Sequence, residues 1–291
     1  MHAMKTIPPA AILLAAIASG AAAETPAVRV AFCGYTQGES WDLWLGSADG
    51  SHLERATVTP EIDERTPALS PDRMTVAFTT SRGDLQLYVI ATKTVQSLPL
   101  PGSGRFAWPT WSADGKNLYY VEVLMGKGPD EGRIWRYVVS SGAIEKVADQ
   151  PEVEGWPSVS SDGAMLFTTW TQAQSCGLWS IASPDAAPTL LWDKSLSLSG
   201  ATWFPGGSLA AVASDGRSQK VLLLKNGKLD REIDVPGASG RPVAFDGSLL
   251  LTRIDNGLAG IHVMDLASGR TRAWSTSAPK DLVQMRDADC R

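Results

Sequence analysis

Histidine and cysteine are scarce in this sequence, which limits the chemistry open to it. The 291 residues include three of each, and His52 and His262 have no histidine or cysteine near them in sequence. Neither therefore belongs to a metal-binding signature. The sequence also lacks a G-x-S-x-G elbow, an H-E-x-x-H pair and a phosphate-binding loop. No standard hydrolase or metalloenzyme motif is present.

Basic residues are in the minority, which argues against nucleic acid as a partner. The chain contains 26 lysines and arginines against 31 aspartates and glutamates, a formal net charge of −5. Proteins that bind nucleic acid neutralise its phosphates with clustered positive charge. We therefore expect neither DNA nor RNA as the partner.

Long apolar runs are missing after the first 23 residues. Lys5 gives the start of the chain a positive charge, Ala10 to Ile17 are apolar, and Ala21 to Ala23 form a small-residue cleavage site. This pattern predicts a signal peptide over residues 1–23, a periplasmic or secreted protein, and one domain over residues 24–291. An uncleaved anchor is the alternative, but the run is shorter than the about 18 to 20 residues that span a bilayer. The protein is then expected to meet the membrane only indirectly.

The cysteine count is odd, so at least one thiol stays unpaired in a monomer. The three are Cys33, Cys176 and Cys290. An exported chain can form disulfides, and a bond between Cys33 and Cys290 would join the two ends of the domain. Both the paired and the free state of these two thiols remain open.

A turn motif recurs along the chain and predicts a repeat protein. In Trp108 to Val121, Pro109 opens a strand, and Ser112, Asp114 and Gly115 form a tight turn. Related turns, 40 to 48 residues apart, end at Arg73, Gly115, Gly163, Gly207 and Gly247. A second hairpin follows each of them. Repeats of this length with four strands are typical of propeller blades.

The two ends of the chain together supply one further blade. Residues 28–34 and 42–57 match the second strand and second hairpin of a repeat, with no inner strand before them. Asp281 to Arg286 has the right length to be that strand. Because an open ring would expose sheet edges, we predict an all-β, six-bladed β-propeller of four-stranded blades. The C-terminal strand closes it beside Val28 to Phe32 in blade 1.

One copy of the repeat carries a family resemblance. PALSPDRMTVAF (67–78), together with LQLYVI (85–90), resembles the WD40-like PD40 repeat of the six-bladed TolB propeller. The resemblance implies a periplasmic, protein-binding propeller. We expect it without the N-terminal domain of TolB, because only Glu24 to Ala27 separate the cleavage site from the first strand. Similar propellers also occur in prolyl oligopeptidase-type peptidases and polysaccharide lyases, so the fold does not decide the function.

The repeat explains most of the other conspicuous side chains. Asp72, Asp114, Asp162 and Asp246 recur at one turn position, where a carboxylate accepts backbone N–H bonds. Arg73 replaces the turn glycine, at a cost of about 1 kcal/mol if its backbone is left-handed. Five tryptophans are expected to pack between blades: Trp44, Trp111, Trp135, Trp179 and Trp203.

Trp108 and Trp156 differ because each precedes the proline of an inner strand, near the mouth of the channel. Thr66, Gly200 and Arg241 stand at the equivalent positions of other blades. Candidate partner-binding residues on this rim are Trp108, Trp156, Arg65, Arg105, Arg241, Asp63 and Glu154. Aromatic and arginine side chains anchor many protein contacts; a solvated loop rim is the alternative.

These features predict a monomeric, non-catalytic propeller that binds a periplasmic or envelope protein or peptide at the channel rim. The alternative is a propeller-type lyase or hydrolase that acts on a polysaccharide or peptide, with a site assembled from several loops. A propeller that holds a small ligand or a channel ion such as calcium is a third reading. No cofactor is indicated.

Overall fold

A computed structural model describes residues 28–100, 104–124, 131–148, 150, 153–170, 176–183, 186–192, 196–204 and 206–291. In this part of the chain it contains 24 β-strands and no helix. The described residues accordingly include no helix that is long and apolar enough to cross a membrane. The predicted signal peptide over residues 1–23 lies outside them.

The strands form six antiparallel sheets of four, arranged as the blades of a ring. From the inside outwards, blade 1 contains β24 (Leu282–Cys290), β1 (Val30–Thr36), β2 (Trp41–Gly46) and β3 (Leu53–Arg55). Blade 2 contains β4 (Glu64–Leu69), β5 (Thr75–Thr80), β6 (Leu85–Val89) and β7 (Thr94–Ser97). Blade 3 contains β8 (Arg105–Trp111), β9 (Asn117–Leu124), β10 (Glu131–Val138) and β11 (Ile144–Lys146).

The remaining three blades repeat this order. Blade 4 contains β12 (Val153–Val159), β13 (Met165–Trp170), β14 (Cys176–Ile181) and β15 (Thr189–Trp192). Blade 5 contains β16 (Ser197–Phe204), β17 (Ser208–Ser214), β18 (Gln219–Lys225) and β19 (Lys228–Asp234). Blade 6 contains β20 (Ala238–Phe245), β21 (Ser248–Asp255), β22 (Leu258–Met264) and β23 (Thr271–Ala273). The predicted all-β, six-bladed propeller is confirmed.

The core is divided into six apolar clusters, one at each contact between neighbouring blades. Trp44 and Trp111 are buried, and the Trp111 indole N–H donates to the Ala68 carbonyl of the neighbouring blade at 3.0 Å. Trp135, Trp179 and Trp203 are partly buried against three of the clusters. These five tryptophans therefore pack the ring together.

Three of the four predicted turn carboxylates, Asp72, Asp114 and Asp162, accept from the turn serine as expected. Asp246 differs: its backbone is left-handed, with φ of 43°, and its carboxylate lies 3.6 Å from the Arg29 guanidinium. Asp114 accepts from the Ser112 hydroxyl at 2.7 Å and from the Lys116 N–H at 3.1 Å. Asp72 makes the same pair of bonds, to the Ser70 hydroxyl at 2.6 Å and the Met74 N–H at 3.0 Å. Blade 2 thus uses the same turn as blade 3, and Arg73 holds the left-handed position with φ of 61°.

Replacing Arg73 with glycine should stabilise the protein. Glycine reaches a left-handed backbone without a Cβ clash, so the free energy of unfolding should rise by about 1 kcal/mol and the melting temperature by about 2 °C. Gly115→Ala, at the equivalent turn with φ of 69°, should cost a similar amount. Urea denaturation measures both; a loss of stability in Arg73→Gly would contradict the strain argument.

A C-terminal strand closes the ring in blade 1 as predicted, but the predicted register is wrong. The predicted segment pairs with Cys33 to Thr36 and not with Val28 to Phe32, because β24 continues past Arg286 and its last two residues, Asp289 and Cys290, pair with Ala31 and Val30. β24 pairs antiparallel with β1 from Val30 opposite Cys290 to Thr36 opposite Leu282. Cys33 lies opposite Arg286, three positions along the strand from the partner of Cys290. This register keeps the two thiols apart, and both are buried and free. The disulfide left open by the sequence is therefore not formed.

Candidate functional site

The inner strand of every blade is interrupted at the same level of the channel. In each of the six, the pairing with the adjacent strand skips residues. The skips contain residues with positive φ, namely Thr66, Trp108, Trp156, Gly200, Gly240 and Asp287. A bulge bends a strand and re-aims its side chains. In blade 6 the left-handed residue is Gly240, and the predicted Arg241 follows it.

Trp108 and Trp156, predicted on neighbouring blades, are stacked on each other. Their ring centroids are 4.9 Å apart with an interplanar angle of 30°, and Trp170 meets Trp108 edge-on at 5.6 Å. Gly155 makes room for this group, because a Cβ there would lie 2.5 Å from Trp170 and 2.8 Å from Trp108. Trp108 also packs against the cluster between blades 3 and 4. Trp156 lines both the narrowest part of the channel and a larger cavity next to it.

These bulges narrow the channel to a constriction. Thr66, Trp108, Trp156, Arg241 and Asp287 line a cavity of about 20 Å³ there, which is room for about one water molecule. The constriction divides the channel into an upper opening, on the face where the inner strands begin, and a lower cavity, on the face where they end.

The upper opening contains a cavity of about 280 Å³ beside Trp156. Trp41 and Arg286 line it, with the guanidinium 4.0 Å from the indole centroid in a cation–π contact. Ile254, also in the lining, is 47% exposed. The opening thus combines two indoles, an aliphatic side chain and a cation.

Three of the predicted charged residues lie around the upper opening, two of them exposed and Asp63 partly exposed. Arg65 pairs with Asp63 at 3.2 Å, with the two side chains 45% and 36% exposed. Arg105 donates to the Ser81 carbonyl oxygen and is also exposed. Exposed ion pairs contribute little stability, so these groups are free to exchange their partners for those of a bound molecule.

Glu154 and Arg241 lie deeper than the sequence suggested. Glu154 is fully buried, where its carboxylate accepts from the Ile134 N–H of the neighbouring blade at 2.9 Å and from the Gln150 N–H at 2.7 Å. Glu64 has the same role in blade 2, accepting from the Leu43 N–H at 2.7 Å. Glu154 therefore joins two blades and presents no surface to a partner.

Arg241 lies inside the channel and belongs to the ring closure. Its guanidinium donates to the Asp289 carboxylate at 2.9 Å, with the two side chains 13% and 2% exposed. The other oxygen of Asp289 accepts from the Leu69 N–H at 2.9 Å. Asp289, on the closing strand of blade 1, thus links blade 6 to blade 2.

Comparison with solved structures gives the architecture a precedent. The chain superposes on TolB from Acinetobacter baumannii with a TM-score of 0.74 at 16% identity, covering 91% of this chain and 67% of that one. A chain of the nidogen/laminin complex superposes with a TM-score of 0.71 at 12% identity, covering 90% of this chain and 97% of that one. An oligogalacturonate lyase in complex with manganese superposes with a TM-score of 0.61 at 12% identity, covering 84% of this chain and 78% of that one.

This protein has the fold of a TolB-like propeller. At these identities the likeness shows the fold alone. No family model matches the sequence, and no curated protein matches it either.

Three residues at the mouth of this TolB-like propeller were missed from the sequence. Arg286 and Asp287 lie on the closing strand, and Trp41 begins β2. Asp287 stands at the sixth copy of the bulge. Aligning residues 282–290 with the other five inner strands would have found it, but the strand carries no proline to mark the position.

Burial in the channel mouth raises the pKa of Asp287, while nearby Arg286 and a bond from the Thr66 N–H partly oppose this effect. With its pKa raised above the unfolded value of 3.8, the folded protein holds this proton more tightly than the unfolded chain. The contribution of Asp287 to stability is therefore greatest at low pH and declines as the pH rises through the raised pKa.

Asp287→Asn should remove this decline, because asparagine carries no titrating proton and tolerates a left-handed backbone. The difference in unfolding free energy between the variant and the wild type should move in favour of the variant as the pH rises above about 4. Urea denaturation at several pH values from about 4 to 8 measures it. Parallel pH profiles for the two proteins would contradict the role assigned to this carboxylate.

Proposed function

We propose that the protein is a periplasmic, non-catalytic propeller that binds an extended segment of an envelope protein across its upper opening. The observation that carries this proposal is the pair of stacked tryptophans at the channel mouth. Trp108 and Trp156 have φ of 49° and 52°. A left-handed backbone is rare for bulky residues and costs of the order of 1–3 kcal/mol. Strain of this kind is concentrated at functional sites.

The distribution of exposed apolar side chains also supports the upper face as the binding surface. Six large hydrophobic residues are exposed in the described part of the chain. Four of them lie on the upper face: Val58, Ile254, Leu258 and Val283. The other two, Val95 and Leu190, lie on outer strands. Apolar anchors inside a rim of charged groups such as Arg65, Asp63 and Arg105 are typical of protein contacts.

An enzyme is the second candidate, and Asp287 is the observation that favours it. A carboxyl group with a raised pKa in a channel, close to arginines, is suited to proton transfer. The oligogalacturonate lyase shows that this fold occurs in an enzyme. Against this, the described residues contain no group of three or more histidine, cysteine or acidic side chains arranged to hold a metal.

Selection from a displayed library of random 12-residue peptides tests the binding proposal. Peptides that are enriched on the wild type should lose at least tenfold in affinity on Trp156→Gly, measured by fluorescence polarisation. Glycine keeps the left-handed backbone without strain, so the variant should remain folded. Leu190→Ala, which removes an exposed side chain from the outer strand of the same blade, should bind like the wild type. Equal binding by Trp156→Gly would overturn the proposal.

A further inference from the structure

The lower cavity has a different composition from the upper opening. Its volume is about 550 Å³, within the range of about 300–1,000 Å³ that is typical of small-ligand sites. It lies below the constriction and takes its walls from blades 1, 3, 4, 5 and 6. This cavity plays no part in the proposed contact with a protein.

Three hydroxyl side chains line the cavity at corresponding places on neighbouring inner strands. Thr110, Ser158 and Thr202 are 2%, 4% and 7% exposed. Within the described residues none of the three hydroxyls forms a hydrogen bond. Their hydroxyl oxygens are not among the described buried polar atoms that lack a hydrogen-bond partner, so they are open to the space of the cavity. Three hydroxyls on the wall of one cavity are therefore available to a bound molecule or to solvent.

The cavity also carries aromatic surface and balanced charge. Trp203 and Phe204 are partly exposed in its wall. The charged side chains in the lining are Arg241, Arg291, Asp162 and Asp289, two of each sign. An excess of arginine would favour an anion and an excess of aspartate a cation. The balance favours a neutral ligand.

We propose that the lower cavity binds a neutral saccharide of one or two sugar units. Such a ligand presents several hydroxyls, which Thr110, Ser158 and Thr202 can bond as donors or acceptors. Its C–H face packs on an aromatic ring. The Arg241–Asp289 pair offers one donor group and one acceptor group from a single buried site. The constriction keeps this ligand separate from a peptide at the upper opening.

Thr110→Val with Thr202→Val tests the site without changing its shape. Valine replaces each hydroxyl with a methyl group, so the unliganded variant should be at least as stable as the wild type. A panel of glucose, galactose, N-acetylglucosamine and their disaccharides, with galacturonate as a charged comparison, can be screened by saturation-transfer NMR and quantified by calorimetry. At least one neutral sugar should bind the wild type, and the double variant should bind it about tenfold or more weakly.

Trp156→Gly distinguishes this proposal from the proposed protein contact. The variant should lose peptide binding at the upper opening but bind the sugar like the wild type. Thr94→Val, an exposed substitution on the outer strand of blade 2, is the matched control and should also bind normally. Absence of binding by every neutral sugar, a preference for galacturonate, or equal binding by Thr110→Val/Thr202→Val would each overturn the proposal.

Discussion

A chain that ends at residue 279 should lose its cooperative unfolding transition. Deletion of Lys280 to Arg291 removes β24, the whole inner strand of blade 1, and leaves one edge of β1 unpaired. Leu282 and Cys290 are also lost from the apolar cluster between blades 6 and 1. The ring then has a gap between its first and last blades. Since the total stability of a domain is only about 5–15 kcal/mol, we expect gross destabilisation.

Circular dichroism during heating measures this effect. A synthetic peptide with the sequence of residues 280–291 provides the control, because an open strand edge accepts a strand in trans. The peptide should restore a cooperative thermal transition to the truncated chain, and a scrambled peptide should not. A truncated protein that melts like the wild type would contradict ring closure by β24.

Asp289→Ala should cost about 3–5 kcal/mol, the loss expected when one partner of a buried ion pair is removed. The variant leaves the Arg241 guanidinium in the channel without its carboxylate and the buried Leu69 N–H without its acceptor. It therefore weakens the contacts of blade 1 with blades 6 and 2 together. Asp289→Asn keeps the shape and an acceptor for Leu69, so its loss should be smaller.

A double variant distinguishes the ion pair from simple packing. In Asp289→Ala/Arg241→Met the unpaired cation is gone, so the total loss should be smaller than the sum of the two single losses. Urea denaturation of the four proteins completes the cycle. If Asp289→Ala unfolds within about 1 kcal/mol of the wild type, the carboxylate does not hold the closure together.

The fold could be predicted because each blade repeats the same local chemistry. The Ser-x-Asp turn at 112–114 has the predicted bonds. Five related turns, together with the blade made from the two ends of the chain, determine the ring. The N-terminal blade has no inner strand before residues 28–34, and this gap predicted that a C-terminal strand closes the ring. Its full length was not predicted, because Asp287 to Cys290 contains two aspartates and a bulge, which do not resemble a buried strand.

The site was harder to predict because the position of a residue near the channel rim does not reveal whether its side chain is buried or exposed. Asp63 precedes β4 and Glu154 is the second residue of β12, yet Glu154 is buried between blades and Asp63 is partly exposed. Glu154 is buried because its carboxylate accepts a hydrogen bond from the backbone of the neighbouring blade. The spacing of residues in the sequence does not show which backbone groups of another blade lie nearby. The stacking of Trp108 on Trp156 similarly depends on the bulges and on the space left by Gly155.

Site-specific photocrosslinking in the cells that produce the protein tests the central claim most directly. With benzoylphenylalanine in place of Arg105, on the upper rim, we predict a discrete crosslinked product that contains an envelope protein. The product should disappear when Trp156→Gly is added. The same probe in place of Leu190, on the outer strand of blade 4, should give none. Absence of a product at position 105, or the same product at 105 and 190, would contradict binding at the upper opening.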